Sequence, residues 1–219
     1  MNLPLILVNF KLYEQSTGDS AVKLAKIHEK VAKENNVSIA VAVNALDLAA
    51  VCRAVSIPVF AQHLDPISYG AHTGGILPDL LKEAGAYGTL LNHAECQMEF
   101  EALEKAIVRA KEVDLFTVVC ANTPEKAARI VKMSPDLIAV EPPELIGGEI
   151  SVSKAQPDII EKSVEIVGEN RLLVGAGVKN GHDVRIAMSL GASGVLLASG
   201  VTRAVDPESV LLDLISGLR

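Results

Sequence analysis

Short apolar runs recur along the whole 219-residue chain, at Leu5–Asn9, Val37–Val43, Pro58–Gln62, Tyr87–Asn92, Leu115–Ala121, Leu137–Glu141, Arg171–Gly175 and Gly194–Ala198. Each is nearly all apolar rather than alternating, the pattern of a parallel strand covered on both faces. The segments between them repeat apolar positions every three or four residues beneath a charged outer face, as in Ala21–Glu34 and Phe100–Glu112, and this predicts helices. About eight strands thus alternate with about eight helices, one pair per roughly 27 residues. No long linker, low-complexity stretch or charge block divides the chain, so residues 1–219 are expected to form a single domain. Eight such units suit a closed (β/α)8 barrel, an α/β fold. An open doubly wound sheet is the structural rival. It usually begins with a glycine-rich strand–helix turn, whereas the first run here ends in Asn9-Phe10-Lys11.

Composition narrows the picture. Hydrophobic residues make up 49% of the chain but aromatics only 3%, with no tryptophan, so Ala, Val, Leu and Ile fill the core. A net charge of -7 argues against nucleic acid or an anionic membrane as partner. A bound anion would need a local arrangement of donors. The three cysteines, Cys52, Cys96 and Cys120, have no metal-ligand spacing and read as reduced thiols of a cytoplasmic protein. The first residues carry no secretory leader pattern, and no apolar stretch approaches the roughly 20 residues of a membrane-spanning helix.

In a barrel, the carboxyl ends of all strands converge on one mouth. Asn9 and Lys11 follow the first run, Asn92, His93 and Glu95 the fourth, and Glu141 ends the sixth. Gly175-Ala176-Gly177 follows the seventh run and Ala198-Ser199-Gly200 the eighth. Glu141 admits two readings: a general base whose affinity for protons is raised by burial, or one half of a structural ion pair with Lys11. Pro142-Pro143 stiffens the start of the following loop and Gly147-Gly148 loosens its far end, which suits a hinged lid as well as an ordinary surface loop. His93 is expected at a helix start, where the dipole disfavours the imidazolium and leaves a neutral donor. The other four histidines, His28, His63, His72 and His182, read as structural. Lys11 is either a fixed cation for an anionic substrate or a solvated loop lysine. The two glycine-containing turns fall where barrels often bind phosphate through backbone N–H groups.

Together these segments resemble the triosephosphate isomerase family along nearly the whole chain, in the short form of its archaeal branch. The matching pieces are Asn9-Phe10-Lys11, Asn92-His93-Ala94-Glu95, the segment from Glu141 to Gly147, Gly175-Ala176-Gly177 and the segment from Val195 to Gly200. The resemblance implies interconversion of dihydroxyacetone phosphate and glyceraldehyde 3-phosphate in glycolysis and gluconeogenesis, with no cofactor and no metal. It implies a base at Glu141, a neutral electrophile at His93 and an anion-stabilising Lys11, which is the arrangement known for this enzyme family. Asn9 would help position the substrate, and Glu95 would orient the site through Lys11. Backbone at Ile146, Gly177, Ala198 and Ser199 would hold the phosphate, and a homo-oligomer is implied. Three departures stand out: Ala94 for a common serine, Gly148-Glu149 for a common Thr-Gly at the lid's end, and Gly75 for a common glutamate in the third loop. The rival functions are another phosphosugar isomerase or epimerase, and a phosphosugar-binding barrel without catalysis.

Overall fold

A computed structural model describes residues 1–146 and 151–218. Strands β1 (Leu5–Asn9), β2 (Ser38–Val43), β3 (Val59–Ala61) and β4 (Gly88–Leu91) form the first half of the sheet. β5 (Phe116–Ala121), β6 (Leu137–Val140), β7 (Leu172–Gly175) and β8 (Gly194–Leu197) form the second. Each strand pairs in parallel with the next, and β8 returns to β1 to close the barrel. The eight runs expected from the apolar pattern are these eight strands, β1 with the same bounds and the others trimmed by one residue at one or both ends. The closed barrel displaces the open-sheet rival.

Helices α1 (Asp19–Asn35), α2 (Ala45–Ala54), α3 (Pro78–Glu83) and α4 (Phe100–Glu112) cover one side of the barrel. α5 (Pro124–Ile130), α6 (Val152–Ala155), α7 (Pro157–Val167), α8 (Gly181–Ser189), α9 (Ser199–Thr202) and α10 (Pro207–Ser216) complete the outer ring. Side-chain oxygens of Asn44, Thr123, Asn180 and Asp206 accept first-turn N–H groups and so start α2, α5, α8 and α10.

Alternation along the strands builds two apolar layers. Leu5 and Leu7 of β1, Ala40 and Ala42 of β2, Phe60, Leu90, Val118, Cys120, Leu137, Ala139, Leu173 and Leu196 fill the barrel interior. Their strand neighbours, among them Ile6, Val8, Ile39, Val41, Ile138 and Val195, pack outward against the helices. The interior is thus filled by side chains, and the rings of Phe60, Tyr87 and Phe116 meet one another at the amino-terminal end of the strands. Continuing the inward register by one step takes β1 to Asn9, β6 to Glu141, β7 to Gly175 and β3 to Gln62. Packing therefore decides which polar residues reach the mouth.

Candidate active site

Glu141 lies one residue beyond β6 and is buried, its backbone N–H held by Ala121 O at 3.0 Å. Its carboxylate fits only because Gly175 stands opposite on β7. A Cβ there would lie 2.5 Å from both Cγ and Oε1 of Glu141. The Cys120 thiol, facing inward from β5, hydrogen-bonds to this carboxylate. Among the described residues, Oε2 has no hydrogen-bond partner. Burial pushes the Glu141 pKa up to about 7, against the smaller opposing effects of Cys120 and the Lys11 charge.

His93 reaches the same place by a different device. Asn92 takes a left-handed conformation, with φ of 58°, that turns the chain out of β4 and re-aims the next side chain. Asn92 is itself clamped, its Nδ2 donating to Cys120 O at 2.9 Å while its Oδ1 accepts from Met98 N at 3.0 Å. The Glu95 backbone N–H donates to His93 Nδ1 at 3.1 Å, so the neutral ring carries its proton on Nε2. That Nε2 lies 3.8 Å from Glu141 Oε2. The histidine pKa is lowered, first by burial and then by the Lys11 charge. This corrects the expected cause. Residues 94–99 form a turn and α4 begins only at Phe100, so no helix start adjoins His93.

Lys11 has a φ of 51°, and the bend is held by its own N–H bonding to Asn9 Oδ1 at 3.0 Å. Its ammonium pairs with Glu95 Oε1 at 2.6 Å. The structural ion pair between Lys11 and Glu141 is therefore absent, and Glu95 takes that role. Because Glu95 is more than half exposed, the Lys11–Glu95 pair serves mainly to position the ammonium rather than to stabilise the fold.

Asn9, Lys11, His93, Glu141, Ile146, Gly177, Ala198 and Ser199 all line one small cavity at the mouth, with Tyr13 and Lys179 beside them. Every substrate residue expected from the sequence is thus brought to that cavity, and Glu95 stands at its edge through Lys11. Ala176 and Gly177 both take left-handed backbone, with φ of 73° and 70°. For a residue with a side chain this conformation costs on the order of 1 kcal/mol. The buried Asp183 braces the strained turn by accepting from Lys179 N and Ser151 Oγ, each at 3.1 Å. The arm of the expected lid is a 3-10 turn at Pro143–Leu145, with Glu144 Oε1 accepting from Gln156 Nε2 at 3.2 Å. Its expected flexible end, Gly147-Gly148 and Glu149, lies outside the described residues.

Sequence reasoning passed over Gln62 and Asp183. Gln62 Nε2 lies within donor distance of Asn9 Oδ1 (3.2 Å), Lys11 O (3.1 Å) and Ala42 O (3.3 Å), tying the first loop to β2 and β3. The inward register of β3 was the available signal. Asp183 had none, since its partners come from separate loops.

The whole chain has relatives of known kind. The family model described as triosephosphate isomerase matches residues 4–217. The chain belongs to the triosephosphate isomerase family. Within that family it is 48% identical to the triosephosphate isomerase of Methanobacterium bryantii, over 97% of this chain and 96% of the relative. It is 48% identical to that of Methanothermus fervidus, over 99% of each chain, and 44% identical to that of Metallosphaera sedula, over 99% and 96%. Among the described residues no cluster of three His, Cys, Asp or Glu is arranged to hold a metal ion, and no helix is long and apolar enough to cross a membrane.

Proposed function

We propose that this member of the family works as a triosephosphate isomerase through Glu141, His93 and Lys11. The observation that carries the assignment is the buried Oε2 of Glu141, unpartnered among the described residues, facing the protonated Nε2 of a neutral histidine. Glu141 takes a proton from the carbon beside the substrate carbonyl. Electrons move onto the carbonyl oxygen, where the His93 N–H and the Lys11 ammonium stabilise the charge. His93 then moves protons between the two oxygens, and Glu141 returns its proton to the neighbouring carbon. Asn9 fixes the Lys11 bend and borders the substrate, while the backbone at Ile146, Gly177, Ala198 and Ser199 receives the phosphate. Closure over this cavity protects the enediol phosphate, which loses phosphate in water. The same proposal includes a homo-oligomer joined through the exposed third loop around Thr73, which a sedimentation measurement tests, and a cytoplasmic location that suits three unpaired thiols.

The test is a coupled assay with glyceraldehyde 3-phosphate on the purified chain and on Glu141→Ala. Turnover should fall by roughly 10²–10⁴-fold or more, while binding of a phosphate-bearing analogue changes little. His93→Ala should lower kcat more than phosphate affinity, and Lys11→Ala should weaken both. Turnover near the wild-type rate in Glu141→Ala would remove Glu141 as the base. Equal losses confined to binding across the three variants would favour a non-catalytic phosphosugar-binding barrel.

A further inference from the structure

We propose that Lys179 is a further substrate-binding residue of this isomerase, a step that rests on the function proposed above. Its ammonium meets the phosphate of the substrate and adds charge to a cradle otherwise built of backbone N–H groups. Lys179 lines the cavity two residues beyond Gly177, together with Ala198, Ser199 and Gly200. The chain leads it there step by step. Ala176 and Gly177 carry the backbone out of β7 in left-handed conformation. Val178 then buries its side chain among the residues that pack outside the barrel, which leaves the next side chain to face the other way. The Lys179 N–H is fixed by Asp183 Oδ2 at 3.1 Å. Its stem runs beside Gly200, where a Cβ would stand 3.9 Å from Lys179 Cγ. A half-buried stem growing from a fixed root leaves the ammonium a short arc, at the end of the cavity that receives the phosphate.

Charge is what this position supplies. The chain carries a net charge of -7, which repels a dianionic phosphate ester at long range. Among the described residues that line the cavity, Lys11, His93 and Lys179 are the basic ones and Glu141 the acidic one. Lys11 is drawn to Glu95 at 2.6 Å and serves the carbonyl end, and His93 is neutral. The Arg203 guanidinium, just beyond α9, lies over the Tyr13 ring, 5.7 Å from its centroid. Lys179 is thus the cation beside Gly177, Ala198 and Ser199. The N–H groups there offer partial charges, whereas an ammonium offers a full one and a stronger, charge-assisted hydrogen bond.

The phosphate keeps its bonds and its charge throughout the isomerisation. A cation that touches it holds substrate and transition state alike, so losing that cation raises KM and leaves kcat nearly unchanged. A structural role would read differently, through kcat and through stability. The Asp183 brace takes the backbone N–H of Lys179, which every side-chain substitution keeps, so the turn survives loss of the ammonium.

The experiment compares the purified full chain with Lys179→Met, Lys179→Gln and Lys179→Arg in the coupled assay with glyceraldehyde 3-phosphate. In the two neutral variants KM should rise about tenfold at low salt, the loss expected for one charged hydrogen bond, with kcat within about twofold of wild type. Lys179→Arg should keep most of the affinity. Calorimetric titration with inorganic phosphate and with glycerol 3-phosphate should show the same weakening. Both effects should shrink at about 0.5 M salt, where the attraction is screened. The titrations need no turnover, so they separate the two readings. A wild-type chain that binds phosphate through Lys179 without isomerising would sink the isomerase assignment and leave the Lys179 contact standing. A KM and a phosphate affinity within about twofold of wild type in both neutral variants would overturn the contact. So would a loss confined to kcat, or a loss of equal size at low and high salt.

Discussion

Glu141 is kept where water cannot solvate its charge, and that placement links its chemistry to stability. Its pKa rises from 4.5 to about 7. Between those values the native protein holds a proton that the unfolded chain releases, so stability falls as pH rises through this window and the full deficit is present above pH 7. The shift corresponds to about 3 kcal/mol, so Glu141→Gln should melt higher than wild type at pH 8, with the gap closing by pH 4.5. In wild type, kcat/KM should rise with pH up to about 7 as the base ionises. Gly175 presents the complementary demand for space. In Gly175→Ala the new methyl would sit 2.5 Å from the carboxylate. Turnover should fall by on the order of 10²-fold while circular dichroism and phosphate-analogue binding stay close to wild type, since small misplacements of a reacting group carry penalties of that size.

At the scale of the strand, the two-residue alternation does most of the positioning. Asn9, Gln62, Cys120, Glu141 and Gly175 all continue an inward series begun by Leu7, Phe60, Val118, Ala139 and Leu173. Gln62→Glu would turn a donor amide into a carboxylate facing three acceptor oxygens. A loss of about 1–3 kcal/mol in a urea titration is expected, together with lower kcat from a loosened Asn9–Lys11 bend. The strands, their order and the residues at their ends were legible in the sequence because alternation and apolar runs are local properties. Phe100–Glu112 was legible as α4, but the turn that separates it from His93 was not. Glu95 and Glu99 suit a helix start and a turn equally well, and the clamp from Asn92 to Met98 is what settles it. The Ser151–Asp183 half of the brace depends on loops that meet only after the barrel has closed. No local pattern encodes such meetings.

Over the whole molecule, two buried ionisable groups pull stability in opposite directions. His28 on α1 is fully buried against the Phe10 ring, its Nδ1 on Leu24 O at 2.8 Å and its Nε2 without a partner among the described residues. Burial lowers its pKa to about 4. The unfolded chain therefore takes up a proton below pH 6.5 that the native protein refuses, and stability declines from there to pH 4 by up to about 3 kcal/mol. Glu141 recovers a similar amount across an overlapping range as pH falls. Thermal unfolding followed from pH 7 to 4 should show Glu141→Gln losing stability more steeply than wild type, and His28→Leu less steeply.

The pairing of β8 with β1 has a consequence for how the protein is made. Leu5 meets Gly194 and Val8 meets Leu197, so the sheet joins its beginning to a segment synthesised near its end. Ala198 and Ser199, which border the cavity, emerge later still. A nascent chain on the ribosome can assemble helices and adjacent strand pairs early, but it cannot possess a closed catalytic pocket until translation has nearly finished. Prematurely terminated products therefore lack that pocket, and their unclosed sheet edge leaves a row of unpaired backbone groups open to pairing with other chains.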